Sequence, residues 1–135
     1  MIRPNKLLYN LFRPSAKLVR YYVHPQAWIG GQIFSSFGIK VKRDNFSGIP
    51  GAIFTPRKNV NTKSIIFYLH GGGYCFGSSL TTHKVGLTKL AKQTGSVCYS
   101  VDYRLAPEHQ YPAALDDALT AWKHIVSQNP NCNII

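Results

Sequence analysis

Two short apolar runs, each followed by a segment of helical period, constrain this chain more than any other feature. "SIIFYLH" (Ser64–His70) and "SVCYSVDYR" (Ser96–Arg104) lack the polar alternation of a half-exposed strand. They read as strands buried on both faces. Between them Leu87, Leu90 and Ala91 recur at helical spacing, Ser79 and Thr81 are candidate N-caps, and Gly95 is a natural stop. After the second run, Ala113–Ser127 is the strongest helical pattern, with Leu115, Ala118, Leu119, Trp122, Ile125 and Val126 on one face. "NPNCN" breaks it, and Ile134–Ile135 look like the start of another strand. Buried strands alternating with helices imply an α/β fold with a parallel sheet and right-handed crossovers.

Upstream the period changes to two. Phe37, Ile39 and Val41 alternate with small or basic residues, "DNFSG" supplies turn chemistry, and Ile49–Thr55 can return as the second arm of a hairpin. Residues 36–135 therefore form one α/β unit. Residues 1–35 form a separate amphipathic segment. In it Leu7, Leu8, Leu11, Phe12, Leu18, Val19, Tyr22 and Val23 share one side, Lys6, Arg13, Lys17 and Arg20 the other, and Pro14 divides the helix. A helix packed on the remainder, a membrane-surface contact through residues 1–23 and a mitochondrial-type targeting segment all fit that pattern.

The net charge of +11 arises from 16 Lys and Arg against 5 Asp and Glu, and the first acidic residue is Asp44. Such a surface favours anionic partners in general. No basic cluster is interleaved with aromatics, so a nucleic-acid partner is not expected. Cys75, Cys98 and Cys132 are odd in number and have no metal-type spacing, which reads as reduced thiols in a cytoplasmic protein. No apolar run is long enough to span a bilayer. Neither a metal nor a cofactor is expected.

The first buried run ends in His70 and three glycines, "HGGGYCFGSS". In open α/β sheets ligands sit beyond the carboxyl ends of the strands. A turn free of side chains there lets backbone N–H groups approach a ligand, as a phosphate cradle or an oxyanion hole. The phosphate reading needs Gly-Lys-Ser/Thr or Gly-x-Gly-x-x-Gly at the helix start, and neither occurs.

The glycine block and "VDYRLAPEHQYPAALDDALTAW" (Val101–Trp122), in this order, closely resemble the hormone-sensitive-lipase-like family of α/β-hydrolases. The resemblance runs from about Ile65 to Ile125. It implies a partial α/β-hydrolase fold preceded by a cap-like segment, and ester hydrolysis through a serine nucleophile with a small acyl ester as substrate. Gly71, Gly72 and Gly73 would form the oxyanion hole. His70, Arg104 and Glu108 would support the loop, with Arg104 pairing with Glu108 or Asp116. Asp102 lies too early in the chain for the family's triad order, so no triad member is assigned. His70 and His109 read as hydrogen-bonded loop residues, and His83 and His124 as surface residues without a role. Cys75 lacks a neighbouring base, and Ser78, Ser79 and Ser100 lack the setting of a nucleophile elbow.

No Gly-x-Ser-x-Gly occurs in residues 1–135. The resemblance therefore implies the N-terminal, oxyanion-bearing portion of a longer hydrolase, with one edge of the Ser64–Leu69 strand unpaired and open to self-association. A binding protein on the same scaffold, or an inactive fragment, are the rival expectations.

Overall fold

The structure is a computed structural model that describes residues 18–22, 25–26 and 37–135. Residues 18–22 and 25–26 are helical. The rest of the 1–35 segment, with Leu7, Leu8, Leu11, Phe12 and Pro14, lies outside the described residues. No helix among the described residues is long and apolar enough to cross a membrane.

The elements run β1 (Ile39–Phe46), β2 (Ile49–Pro56), β3 (Asn61–Leu69), α1 (Lys84–Thr94), β4 (Ser96–Val101), α2 (Ala113–Gln128) and β5 (Asn133–Ile134). They build one five-stranded sheet in the order β1-β2-β4-β3-β5. The predicted hairpin forms: β1 and β2 pair antiparallel from Ile39 opposite Pro56 to Phe46 opposite Ile49. Ser47 and Gly48 both take positive φ at its tip, the geometry that fits the right-handed twist of the arms. The two apolar runs become the parallel neighbours β3 and β4, with Ile65–Leu69 facing Val97–Val101.

Because β3 and β4 are covered on both faces, alternate residues feed two cores. One contains Ile39, Ala52, Phe54, Ile66, Leu87, Ala91 and Cys98, the other Phe46, Ile65, Val101, Tyr103, Ala121 and Ile125. Helix α1 buries Leu87, Thr88 and Ala91 and ends on Gly95 in the left-handed conformation, whose N–H bonds the Ala91 carbonyl. Its N-cap is His83, without a side-chain bond. Ser79 and Thr81, expected as caps, are engaged elsewhere.

Helix α2 departs from the sequence reading. The sheet buries Asp117, Ala121 and Ile125, while Leu115, Leu119, Trp122 and Val126 remain 37–48% exposed. The small Ala121 lets the helix approach the strands closely, and Asp117 is drawn inward by an arginine. Periodicity locates an apolar stripe but not which neighbour covers it.

The far edge of β3 is partly paired rather than bare. Asn133 and Ile134 lie parallel to Ser64 and Ile65, and Phe67 N–H donates to the Ile135 carbonyl at 2.9 Å. Beyond Phe67, Leu69 stands 45% exposed on that edge.

The tightest point of the sheet is Gly51, opposite Val101. A Cβ there would sit 2.3 Å from the Ser100 carbonyl oxygen and 2.5 Å from a ring carbon of Phe46. The carbonyl is fixed by the strand pairing and the ring is held in the core, so neither yields cheaply. Gly51→Ala is expected to lower unfolding stability by ~2–3 kcal/mol. Urea denaturation should show a reduced midpoint at unchanged slope, and an unchanged midpoint would contradict this packing.

Candidate active site

Strands β3 and β4 finish side by side, Leu69 opposite Val101, and everything that shapes the site leaves from those two ends. From β3 come His70, the three glycines and a compact turn running to Ser79. From β4 comes the segment 102–112, which contains cis peptide bonds before Pro107 and Pro112 and leads into α2.

The turn folds back on itself through Cys75 and Phe76, whose N–H groups both donate to the Gly72 carbonyl, at 3.0 and 3.2 Å. Gly72 has φ +130°, and a Cβ there would lie 1.9 Å from the Phe76 carbonyl oxygen. Only glycine closes this bend. Around Gly73 and Gly71 the space is open: a Cβ at Gly73 meets nothing within 4 Å, and one at Gly71 meets only His83 Nε2 at 3.9 Å. The amide N–H groups of Gly71, Gly72 and Gly73 make no hydrogen bond to the described residues.

All three glycines line a cavity of about 590 Å³. Leu69, His70 and Tyr74 contribute from the β3 side, Tyr103, Ala106, His109 and Tyr111 from the β4 side, and Ala114, Leu115 and Ala118 from α2. The walls are mainly apolar and aromatic, with tyrosine hydroxyls and backbone amides as the polar points, the usual character of a small-molecule pocket. Leu115 and Ala118, read from sequence only as part of a helix face, are pocket residues.

The turn is fastened to the neighbouring segment at several points. The Tyr103 hydroxyl donates to the His70 carbonyl, and its ring stacks on the His70 imidazole with centroids 4.3 Å apart and planes 11° from parallel. Burial, with Tyr74 and Tyr68 nearby, pushes the Tyr103 hydroxyl up from its ordinary value, so it stays a donor. Ala106 N–H donates to the Tyr74 carbonyl at 2.8 Å. At the far end, Ser79 donates to Asp102 Oδ1 from its backbone N–H at 2.6 Å and from its hydroxyl at 2.7 Å, and Ser100 Oγ lies 2.8 Å from Ser79 Oγ. Asp102 is thus a fastening for the turn.

His70 is buried, and its Nδ1 lies 3.0 Å from the Gly71 carbonyl oxygen, as expected of a loop-supporting residue. Its Nε2 is buried and makes no hydrogen bond among the described residues. His83 is not the surface residue expected from sequence. It packs 5.6 Å from the His70 ring, and burial, followed by His70, lowers its pKa, which favours the neutral imidazole. His124 also has contacts, its Nδ1 lying 2.9 Å from the Ser47 hydroxyl and its ring tilted against Phe46 at 6.2 Å between centroids.

The arginine pairing differs from that expected. Arg104 binds Asp117 rather than Glu108 or Asp116. Its Nη2 donates to Oδ1 at 2.7 Å, its Nε to Oδ2 at 2.9 Å, and its backbone N–H to Oδ2 at 2.8 Å. Asp116 and Asp117 are adjacent in sequence but face different sides of the helix, so spacing alone does not choose between them. Glu108 instead takes a 2.8 Å bond from Arg20. Arg20 also donates to the carbonyls of Cys75 and Ala106 and so joins residues 18–22 to both loops.

The three cysteines are free, and burial pushes the Cys98 thiol up to about 11, far from nucleophilic use. Among the described residues no group of His, Cys, Asp or Glu is placed to hold a metal ion.

These features agree with comparison to known proteins. A family model described as alpha/beta hydrolase fold matches residues 66–134. This chain belongs to that family. Its solved relatives include esterases of the hormone-sensitive-lipase type. A hormone-sensitive lipase from a metagenome library aligns over 98% of this chain and 46% of its own, with 27% identity and a TM-score of 0.73. A thermostable carboxylesterase, also metagenomic, aligns over 88% and 44%, with 29% identity and a TM-score of 0.72. By sequence, human arylacetamide deacetylase-like 2 is 40% identical over 87 residues, which are 63% of this chain and 22% of that protein. Ethyl acetate hydrolase of Pseudomonas putida is 48% identical over 63 residues, 47% of this chain and 20% of that protein. The chain thus spans about a fifth of these curated relatives and under half of the solved structures.

The Arg104–Asp117 pair gives a direct test of how the site is held. Burial raises the Asp117 pKa, but the hydrogen bonds and charge of Arg104 outweigh it and bring it below 3.8. A carboxyl held lower in the folded state stabilises the fold above its unfolded pKa and loses that contribution as pH falls through the folded value. Asp117→Asn is therefore expected to cost about 2 kcal/mol at pH 7. The gap between variant and wild type should close as pH drops below 3.8. Thermal unfolding across that range checks it, and a gap that stays constant with pH would refute the ion-pair account.

Proposed function

We propose that this chain supplies the oxyanion-binding half of a carboxylic ester hydrolase working by serine acyl transfer. The reading rests on one observation: three consecutive glycine amides, uncommitted among the described residues, line an apolar cavity at the end of a parallel strand. The names of the relatives, a carboxylesterase and an ethyl acetate hydrolase among them, support the same chemistry.

When a nucleophile adds to an ester carbonyl, negative charge gathers on the carbonyl oxygen. Donors already aimed at that position need no reorganisation as the charge develops, and removing one typically lowers the rate by about 10²–10³. Gly71, Gly72 and Gly73 fill this role with backbone N–H groups, and His70 with Arg104 holds the loops that carry them. Leu69, Tyr74, Tyr111 and Leu115 enclose the organic part of a neutral acyl ester.

Ser78, Ser79 and Ser100, the serines nearest the glycine turn and the end of β4, are not placed to act as the nucleophile. Ser79 and Ser100 are buried and bonded to each other, and Ser78 is paired with Thr81 at 2.7 Å. The β5 register, Asn133 beside Ser64 and Ile134 beside Ile65, continued along Ile66–Leu69, ends next to Gly71. A strand in that slot would deliver a nucleophile elbow to the cavity.

Two assays test the proposal. The purified 135-residue chain should hydrolyse 4-nitrophenyl acetate no faster than its Gly72→Asp variant. In a polypeptide that carries this chain together with a nucleophile elbow, Gly73→Ala should lower kcat by at least about tenfold by misplacing the acyl group against the donors, with a modest drop in thermal midpoint because Gly73 sits at φ +59°. Unchanged kcat in that variant, or saturable and serine-inhibitor-sensitive turnover by the chain alone, would defeat the reading.

A further inference from the structure

The acidic residues of the α/β unit gather at one end of the sheet, where Lys42 and Arg104 pair with two of them. Asp102, Glu108, Asp116 and Asp117 follow β4 on the loop and first turn that frame the cavity. Asp44 lies opposite Gly51, which pairs with Val101, and so belongs to the same end. Those are all five acidic residues of the chain.

The other end lies roughly 20 Å away, the length of β4 at about 3.3 Å per residue. It is closed by Arg57 N–H donating to the Gly38 carbonyl and Asn61 N–H to the Gly95 carbonyl. Lys40, Arg57, Lys58 and Lys63 are all exposed there, and Lys92 stands in the last turn of α1 just before Gly95. No acidic residue shares this end.

Two apolar side chains project from within the same basic collar. Phe37, beside Gly38, is 95% exposed, and Val60, between Lys58 and Lys63, is 44% exposed. Neither joins either hydrophobic core. Cations beside projecting apolar side chains at one end of the sheet match the interface of an anionic bilayer, where headgroups attract lysine and the acyl boundary accepts the apolar tips. A surface for single-stranded nucleic acid would instead call for a row of aromatic faces, and a duplex, bound through phosphates, gives no role to the projecting Phe37 and Val60.

We propose that this end of the sheet, centred on Phe37, Lys58, Val60 and Lys63, docks on an anionic lipid bilayer surface. Docked in this way, the chain would hold the cavity on the side facing water, so a substrate would reach it from solution.

Vesicle co-sedimentation of the full 135-residue chain tests the proposal, with phosphatidylcholine vesicles compared to vesicles containing a quarter phosphatidylserine. Binding is expected only with the anionic lipid and should weaken strongly in high salt. The double variant Lys58→Glu, Lys63→Glu should lose at least about tenfold in partitioning, and Phe37→Ser about tenfold. The triple variant Lys6→Glu, Arg13→Glu, Lys17→Glu removes more net charge yet should retain most of the binding. All these positions are exposed or outside the α/β unit, and matching thermal midpoints verify that the variants fold. The proposal is overturned by equal binding to both vesicles, by loss confined to the triple variant, or by insensitivity to the double variant. It is equally overturned if a single-stranded oligonucleotide binds more tightly than the anionic vesicles.

Discussion

The site depends on the fastening of one loop to another. Three glycines in succession are intrinsically the least ordered part of the chain, yet the turn that contains them is stapled at each end to the segment after β4. Tyr103 holds the His70 carbonyl at one end, Asp102 takes two bonds from Ser79 at the other, and Ala106 binds Tyr74 between them. Both stapling residues leave directly from β4, so their positions are set by its parallel pairing with β3. Sheet register is thereby converted into a fixed geometry for otherwise flexible backbone. Preorganisation of this kind is what an oxyanion site requires.

The polar residues of this region divide by what they hold. Asp117 restrains the loop through Arg104, and Glu108 reaches Arg20, which also touches carbonyls on both loops. None of these charges is aimed at the cavity as a proton-transfer group. The cavity itself is lined by backbone amides, tyrosines, His70, His109 and apolar side chains.

Helix α2 serves two neighbours at once. Its buried side presents Ala121 and Ile125 to the sheet, its N-terminal turns give Ala114, Leu115 and Ala118 to the cavity, and Trp122 packs edge-on to Phe67 at 5.2 Å. Its apolar stripe therefore lies along the flank where β5 pairs with only the first part of β3. The solved relatives, which are more than twice as long as the matched region, share this part of the fold.

Much of the architecture was legible without coordinates. Apolar runs of strand length, period-two alternation from Phe37 to Val41 and the stops at Gly95 and "NPNCN" located the hairpin, the parallel strands and both helices, because these signals are local. The glycines at the end of β3, which line the cavity, are legible for the same reason. Sequence could not choose Asp117 over Asp116 as the partner of Arg104, show that His83 is packed against His70, or bring Leu115 and Ala118 of α2 to the cavity. It also gave no sign that Ser79 and Asp102 meet. Each of those facts depends on how two distant segments approach one another, and only the paired ends of β3 and β4 decide that.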